Sequence, residues 1–150
     1  MNHAIARSSL DQKLGSFRNT GLRHPPAKGW IRAIRDALGM TTYQMAKRLG
    51  VSQPRIIVLE RDEVKGTVTL QTLQRAAEAL NCTLVYALVP NTSLQDMVQT
   101  QASVVADQRL KAVNQTMQLE DQGVGKADIA KKRGELTQEL AEHGGARLWD

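Results

Sequence analysis

The segment TTYQMAKRLGVSQPRIIVLERDE, residues 41–63, contains two short helical patterns that are joined at Gly50 with almost no linker. Glycine accepts the positive φ that such a sharp turn requires. Ala46 is small, as expected where a second helix crosses close over the first. The helical period predicts an inward seam of apolar or small residues: Met45, Ala46, Leu49, Val51, Ile56 and Leu59.

The second helix of this segment has a defined start. Ser52 is a favoured N-cap residue, and Pro54 is tolerated in the first turn, where no intrahelical N–H bond is lost. Together the turn, the cap and the apolar seam predict a helix-turn-helix, in which the first helix braces the second in a DNA major groove. A generic helical hairpin is the alternative.

Residues 41–82, from TTYQMAKRLG to AAEALNC, resemble the lambda-repressor/Cro-like (XRE) helix-turn-helix family. A longer region, from LDQKLGSFRN through GWIRAIRDALG to YALVP, most closely resembles the mobile mystery protein A group. This resemblance covers about residues 8–120. In that group the usual partner is a neighbouring Fic-domain protein, so the resemblance implies such a partner here.

The resemblance also implies how the two helices contact DNA. In such proteins the residues that open the second helix contact base edges, where Gln can read adenine, Arg can read guanine and an apolar group can meet a thymine methyl. This role transfers to Gln53, Pro54, Arg55, Ile57 and Val58. Contacts to the DNA backbone are predicted for Thr41, Thr42, Gln44, Lys47, Arg61 and Lys65.

A basic arm precedes these helices. Its linker contains two prolines, and three basic side chains there can enter the adjacent minor groove: Arg23, His24 and Lys28. The arm also predicts a short helix that is capped at Ser8 or Ser9. The apolar face of that helix can dock on the core, which we favour, or on a second subunit; it consists of Leu10, Leu14 and Phe17.

These patterns predict a mainly all-α fold, namely a five-helix lambda-repressor-like helix-turn-helix domain with a short β-strand and a helical C-terminal extension. The predicted boundaries are 1–28 for the arm, 29–92 for the DNA-binding domain and 93–150 for the extension. The strand is predicted at CTLVYALVP, residues 82–90, which is apolar, β-branched and ends at a proline. A homodimer can form through this strand or through the long helix that follows it.

Charge and composition limit the partners and the classes of function that the chain can have. Residues 1–92 carry 13 Lys/Arg against 6 Asp/Glu, whereas residues 93–150 carry 7 against 9, so the positive field belongs to the N-terminal part and suits a polyanion. The histidines are scattered and no phosphate-binding glycine loop occurs, so we expect no enzyme, no cofactor and no metal site. A single cysteine and the lack of a signal peptide or membrane-length apolar run predict a soluble, cytoplasmic protein that does not contact a membrane.

Two functions follow as hypotheses. The first is a sequence-specific transcriptional repressor that binds a palindromic operator as a homodimer and autoregulates its operon as the antitoxin-like partner of a Fic-domain protein. The second is a protein-interaction module that restrains a Fic-domain toxin through residues 93–150, with DNA binding secondary. Within TMQLED, Thr116 and Glu120 have the spacing of the Fic-inhibitory motif, although an ordinary solvated helix face has the same spacing by chance.

Overall fold

The computed structural model describes residues 2–21, 24–119 and 125–150. Within these ranges the secondary structure is helical, with seven α-helices, one 3₁₀ turn and no strand, so the prediction of a mainly helical fold is confirmed. The chain packs as two compact units. One is Thr20–Ala87, and the other combines the chain up to Asn19 with Leu88–Asp150.

Four helices form the Thr20–Ala87 unit, here called the reading unit. In chain order they are α2 (Trp30–Ala37), α3 (Thr42–Leu49), α4 (Gln53–Lys65) and α5 (Leu70–Ala79). Thr41 caps α3 through a reciprocal capping box with Gln44, and Thr69 caps α5 by accepting from the Thr72 N–H. Left-handed glycines end α3 and α4, as the sequence predicts for Gly50.

The core of the reading unit is built from aliphatic side chains of all four helices. Met45 and Ile56 are its largest fully buried side chains, and they come from the two helices on either side of the Gly50 turn. Burying apolar surface is the main favourable term in folding, so this core fixes α4 against α3. Its other buried members are Ile31, Ala46, Leu59, Ala76 and Leu80.

A buried ion pair crosses the same core. The Arg35 guanidinium of α2 donates to both carboxylate oxygens of Glu60 in α4, at 2.6 and 3.2 Å, and to the Met40 carbonyl at 2.9 Å. Both charged side chains are more than nine-tenths buried. The hydrogen bond that Arg35 donates to Glu60 raises the pKa of Arg35, against the opposing effect of burial. The pair therefore fixes the orientation of α2 relative to the buried side of α4.

Glu63 supplies the cap that α2 lacks in its own sequence. Its carboxylate accepts from the backbone N–H groups of Trp30 and Ile31, at 2.8 and 3.0 Å. The preceding Gly29 has φ +79°, and a Cβ at this position would lie 2.6 Å from Glu63 Oε2. Only glycine leaves room for this long-range cap, which ties the start of α2 to the end of α4.

Three helices form the other unit, here called the clasp unit: α1 (His3–Arg18), α6 (Leu94–Leu119) and α7 (Lys126–His143), followed by a 3₁₀ turn at Gly145–Leu148. Helices α6 and α7 make the most extensive helix pairing of the chain, and α1 packs against α6. Small residues lie where α6 meets α7, because short side chains allow a close approach. The buried core of the clasp unit consists of these alanines and of larger side chains from α6, α7 and the 3₁₀ turn: Val98, Ala102, Ala106, Leu140, Ala141 and Leu148.

Asp11 fastens α1 to the start of α6. Its carboxylate accepts from the backbone N–H groups of Leu94 and Gln95, at 2.8 and 3.3 Å, and so caps a helix more than eighty residues away in sequence. Arg18 approaches the same carboxylate at 3.4 Å and donates to the Thr92 carbonyl at 2.9 Å. These bonds place the N-terminal helix on the C-terminal extension.

Two local predictions are wrong. No strand forms at residues 82–90, because a strand needs a paired neighbour and no described segment of this chain lies alongside it. Helix α1 begins at His3 and not near Ser8, because Asn2 caps it by accepting from the Ala4 and Ile5 N–H groups. Ser52 occupies the N-cap of α4 as predicted, although its side chain makes no capping hydrogen bond.

Candidate nucleic-acid interface

The α3–α4 connection has the geometry that the sequence predicts. Gly50 adopts the left-handed conformation at φ 72° and ψ 33°, and the Val51 N–H returns to the Ala46 carbonyl at 3.0 Å. Ala46 is 3% exposed beneath the crossing of the two helices. The prediction of a helix-turn-helix is therefore confirmed, with α3 as the bracing helix and α4 as the second helix.

Helix α4 has a buried side and an exposed side. Ile56, Leu59 and Glu60 are buried against the reading unit. With 3.6 residues per turn, exposed residues at i, i+4 and i+8 form a band along one side of α4, next to the buried side, from the first turn to the third: Gln53, Ile57 and Arg61, with Pro54 beside them. Arg55 is also exposed but lies on the flank of this band, and Val58 is half-buried beside it. The band is polar at the start of α4 and apolar at Ile57, a mixture that suits base edges.

Gln53 is the most constrained member of this band. Its amide nitrogen donates to the Thr42 hydroxyl at 2.8 Å, across the turn from the first residue of α3. One amide hydrogen is thereby used, while the second hydrogen and the amide oxygen stay available to a ligand. An amide held in this way offers the donor and acceptor pair that matches the N7 and N6 groups of adenine.

The other predicted residues of α3 are partly occupied within the chain. Thr41 and Gln44 bond one another in the capping box, with the Thr41 N–H donating to Gln44 Oε1 at 2.9 Å. Thr42 accepts from Gln53, so its structural role is to position that amide. Lys47 is exposed and close to the end of α3. Of the predicted α3 contacts, Lys47 is the simplest phosphate ligand, since its long basic side chain is exposed.

The remaining basic residues are dispersed around the reading unit. Arg61 contacts Asp62 at 3.1 Å, and Lys65 is exposed in the last turn of α4. His24 and Lys28 are exposed before α2, whereas Arg23 lies outside the described residues. These cations supply a positive surface, but the geometry assigns none of them to an individual phosphate.

Tyr43 is a candidate that the sequence reasoning missed. It lies in the first turn of α3, beside Thr42, and 65% of it is exposed. A phenolic hydroxyl can donate to a phosphate oxygen, and the ring can pack on a sugar. Its position next to the predicted backbone contacts Thr41 and Thr42 could have indicated this role. An aromatic residue at this position is, however, equally typical of a buried helix face.

Comparison with known protein families identifies this part of the chain. Residues 31–86 match the family model described as Helix-turn-helix. The chain carries an XRE-type helix-turn-helix domain. Neither the curated proteins nor the solved structures contain a significant match to the chain. The XRE-type domain spans α2 to α5 and continues into the extended residues after α5, so it contains all the predicted base contacts.

Other kinds of site were sought throughout the described ranges. No three His, Cys, Asp or Glu side chains in residues 2–21, 24–119 and 125–150 gather closely enough to hold a metal ion. Among the described helices, none combines the length and the apolar character needed to cross a membrane. Of the residues predicted to inhibit a Fic-domain partner, Thr116 donates to the Ala112 carbonyl at 3.0 Å within α6, and Glu120 lies outside the described residues.

Proposed function

We propose that the protein is a sequence-specific, DNA-binding transcriptional regulator whose α4 helix reads base edges in the major groove. One observation carries the proposal. The XRE-type domain leaves the outer side of α4 free of packing and holds the Gln53 amide against Thr42, with a donor and an acceptor still available. A recognition helix needs this combination of exposure and fixed orientation.

Each exposed side chain at the start of α4 contacts a different group of the DNA in this proposal. Gln53 bonds adenine through its free N–H and its amide oxygen, and Ile57 meets a thymine methyl group. Pro54 contacts a thymine methyl or a sugar, because it has no N–H to donate. Arg55, on the flank, reaches a guanine or a neighbouring phosphate. Val58 is half-buried and contributes at most its outer methyl group.

Charge supports the same partner. The first 92 residues carry 13 Lys/Arg against 6 Asp/Glu, and a positive surface of this kind attracts the phosphate backbone at any sequence. Lys47, Lys65 and Tyr43 would then fix the register of α4 in the groove. Two copies on a palindrome would read two half-sites about one helical turn apart. Such a homodimer at its own promoter would repress transcription by occupying the site.

The test is binding of the purified protein to the DNA upstream of its own coding region, against a scrambled duplex of the same composition, at two salt concentrations. We expect tighter binding to the upstream duplex, with both affinities falling as salt rises. Gln53→Ala/Arg55→Ala should abolish the preference, at about 1–3 kcal/mol per residue, and leave the weak non-specific binding. Arg109→Ala, an exposed α6 residue outside the helix-turn-helix, is the matched control. Equal affinity for both duplexes would contradict the proposal.

A second candidate function is restraint of a protein partner by the clasp unit, the antitoxin-like role that the resemblance to the mobile mystery protein A group implies. The observation in its favour is that this unit keeps large apolar side chains exposed, with Trp149 at 57% and Val104 at 44%. A neighbouring Fic-domain protein is the partner to test, by co-purification with the wild-type chain. Binding that survives Gln53→Ala/Arg55→Ala but is lost in Trp149→Ala would support this role, and no co-purification would remove it.

A further inference from the structure

The clasp unit contains an open apolar groove between α1 and the end of α7, here called the clasp groove. Helices α1 and α7 both pack on α6 without an extensive pairing of their own, and a space of about 440 Å³ remains between them. Its buried lining consists of Val98, Ala141 and Leu148. Sites for small organic ligands usually measure roughly 300–1,000 Å³ and are lined mainly by apolar side chains. The clasp groove matches this class of site in both respects.

Short side chains keep the groove open. Ala6 of α1 and Ala146 of the 3₁₀ turn line it and are too small to fill the space. Leu10 and Trp149, which also line the groove, stay 47% and 57% exposed. Apolar surface in contact with water costs free energy, and an apolar ligand that covers this surface recovers part of that cost. The α1 wall uses positions i, i+3, i+4 and i+7, which share one helix face: His3, Ala6, Arg7 and Leu10.

The α1 wall also carries a cation that is held in place. The Arg7 Nε–H donates to the side-chain oxygen of Gln95 in α6 at 2.9 Å, and Arg7 is half-buried although its neighbours in α1 are exposed. This bond uses only one of the guanidinium donors and fixes the direction of the group. The donors on its terminal nitrogens can bind both oxygens of a carboxylate. The groove therefore offers a charge partner for an anion beside an apolar surface.

Glu142 lines the α7 side of the groove and would favour a ligand of the opposite charge. Its side chain is exposed, and its carboxylate accepts from the Gln138 amide at 3.2 Å, one turn earlier in α7. Water and salt weaken the field of an exposed charge more than that of a partly buried one. The half-buried guanidinium of Arg7 therefore has the stronger influence on a ligand in the groove, and an anion is favoured.

From these observations we infer that the clasp groove binds a free amphipathic carboxylate of the medium-chain fatty-acid type. Its carboxylate bonds the terminal nitrogens of Arg7, and its hydrocarbon chain covers Val98 and Leu148. An unbranched chain suits a groove whose walls contain alanines. The inference goes beyond the proposed function and does not rest on it, because the site lies in the clasp unit and its occupation is measured without DNA.

An NMR titration of the isotope-labelled full chain with octanoate at neutral pH tests the site. We expect the amide shifts to concentrate at the residues that line the groove, such as Ala6 and Leu148. Affinity should rise about fourfold with each CH₂ from hexanoate to octanoate, since each added group is buried. Octanoate should also bind more tightly than 1-octanol and octylamine. Octylamine binding as tightly as octanoate, or shifts that avoid the groove, would overturn the inference.

Removing the cation separates its role from that of the apolar lining. Arg7→Gln should weaken octanoate binding at least tenfold and leave 1-octanol binding unchanged, because only octanoate bonds the guanidinium. Lys13→Gln is the matched control, since it removes a positive charge from an exposed α1 residue outside the lining. If Arg7→Gln weakened both ligands equally, or weakened octanoate no more than Lys13→Gln, Arg7 would not hold the carboxylate and the inference would be wrong.

Filling the groove provides an independent test that does not alter the charge. Ala6→Leu places a larger side chain in the groove and should weaken octanoate and 1-octanol alike, by at least tenfold. Ala4→Leu makes the same change on the other side of α1, at an exposed residue outside the lining, and should leave both affinities unchanged. Circular dichroism confirms that each variant stays helical. Undiminished binding in Ala6→Leu would place the ligand elsewhere and refute the site, whatever the outcome of the DNA-binding test.

Discussion

The reading unit and the clasp unit bury their helices by different means. In the reading unit, large aliphatic side chains such as Met45 and Ile56 fill a core that is crossed by the Arg35–Glu60 ion pair. In the clasp unit, the fully buried positions of α6 are Ala102 and Ala106, and polar bonds at the helix ends hold the elements together. The difference fits the role proposed for α4, because a helix that reads bases must be fixed in angle as well as in contact.

The largest effect is expected at the buried ion pair. Arg35→Met leaves the Glu60 carboxylate buried without its partner, which should lower the free energy of unfolding by about 3–5 kcal/mol. Chemical denaturation monitored by circular dichroism measures this loss. The double variant Arg35→Met/Glu60→Leu should recover most of it, since two apolar residues leave no buried charge. If Arg35→Met alone were harmless, the ion pair would not be what orients the reading unit.

A larger side chain in the core of the clasp unit should lower its stability without changing DNA binding. Ala102 is completely buried on α6, so Ala102→Leu forces the neighbouring side chains apart and should cost about 1–3 kcal/mol. We expect the loss in thermal unfolding, while affinity for the upstream duplex at low temperature stays unchanged. The exposed α6 variant Gln108→Leu provides the control, with little change in stability. A loss of DNA affinity in Ala102→Leu would mean that DNA binding depends on the packing of the clasp unit as well as on the reading unit.

A smaller effect is expected at the long-range cap of α6. Asp11→Ala removes the acceptor for the Leu94 and Gln95 N–H groups and should cost about 1 kcal/mol, the usual value of a lost helix cap. Hydrogen exchange should show faster exchange confined to the first turn of α6. Asp128→Ala, at an exposed acidic residue in the first turn of α7, serves for comparison. Unchanged exchange at Leu94 would show that Asp11 is not the cap.

The smallest effect concerns an exposed pair of the clasp unit. The hydrogen bond from Arg133 lowers the pKa of Asp107 below its ordinary value of 3.8. Because the folded pKa is depressed, the bond stabilises the protein above pH 3.8, and this contribution is lost as the pH falls through the lowered folded value. An NMR titration of the Asp107 carboxyl carbon measures the shift, and Arg133→Gln should return it towards the ordinary value. An identical titration in wild type and variant would rule out the bond.

The sequence predicts the reading unit well because its signals are local. Gly50 sets the turn, Thr69 caps α5, and the apolar seam through Met45 and Ile56 is visible at helical spacing. The position of Gln53 at the start of α4 also follows from sequence, and its proposed role in base contact stays a prediction. The capping bond of Glu63 to α2 does not follow, because it joins residues that share no periodic pattern.

The clasp unit is harder to predict because it joins the two ends of the sequence. Nothing in the pattern around Asp11 indicates that its carboxylate caps a helix beginning at Leu94. Alanines at buried positions, such as Ala102 and Ala106, also give a weak hydrophobic signal. The strand predicted at residues 82–90 is wrong for a related reason, since the β-forming composition is visible locally but no described segment of the chain pairs with it.

The most direct measurement of the central claim compares Gln53→Ala with Lys47→Ala on a set of upstream duplexes, each changed at a single base pair, over a range of salt concentrations. We expect Gln53→Ala to relax the preference at one position of each half-site and to leave the salt dependence unchanged. Lys47→Ala should weaken binding uniformly across the set and reduce the salt slope by about one. If Gln53→Ala instead weakened binding to every duplex equally, α4 would not read bases through Gln53, which would contradict the proposed function.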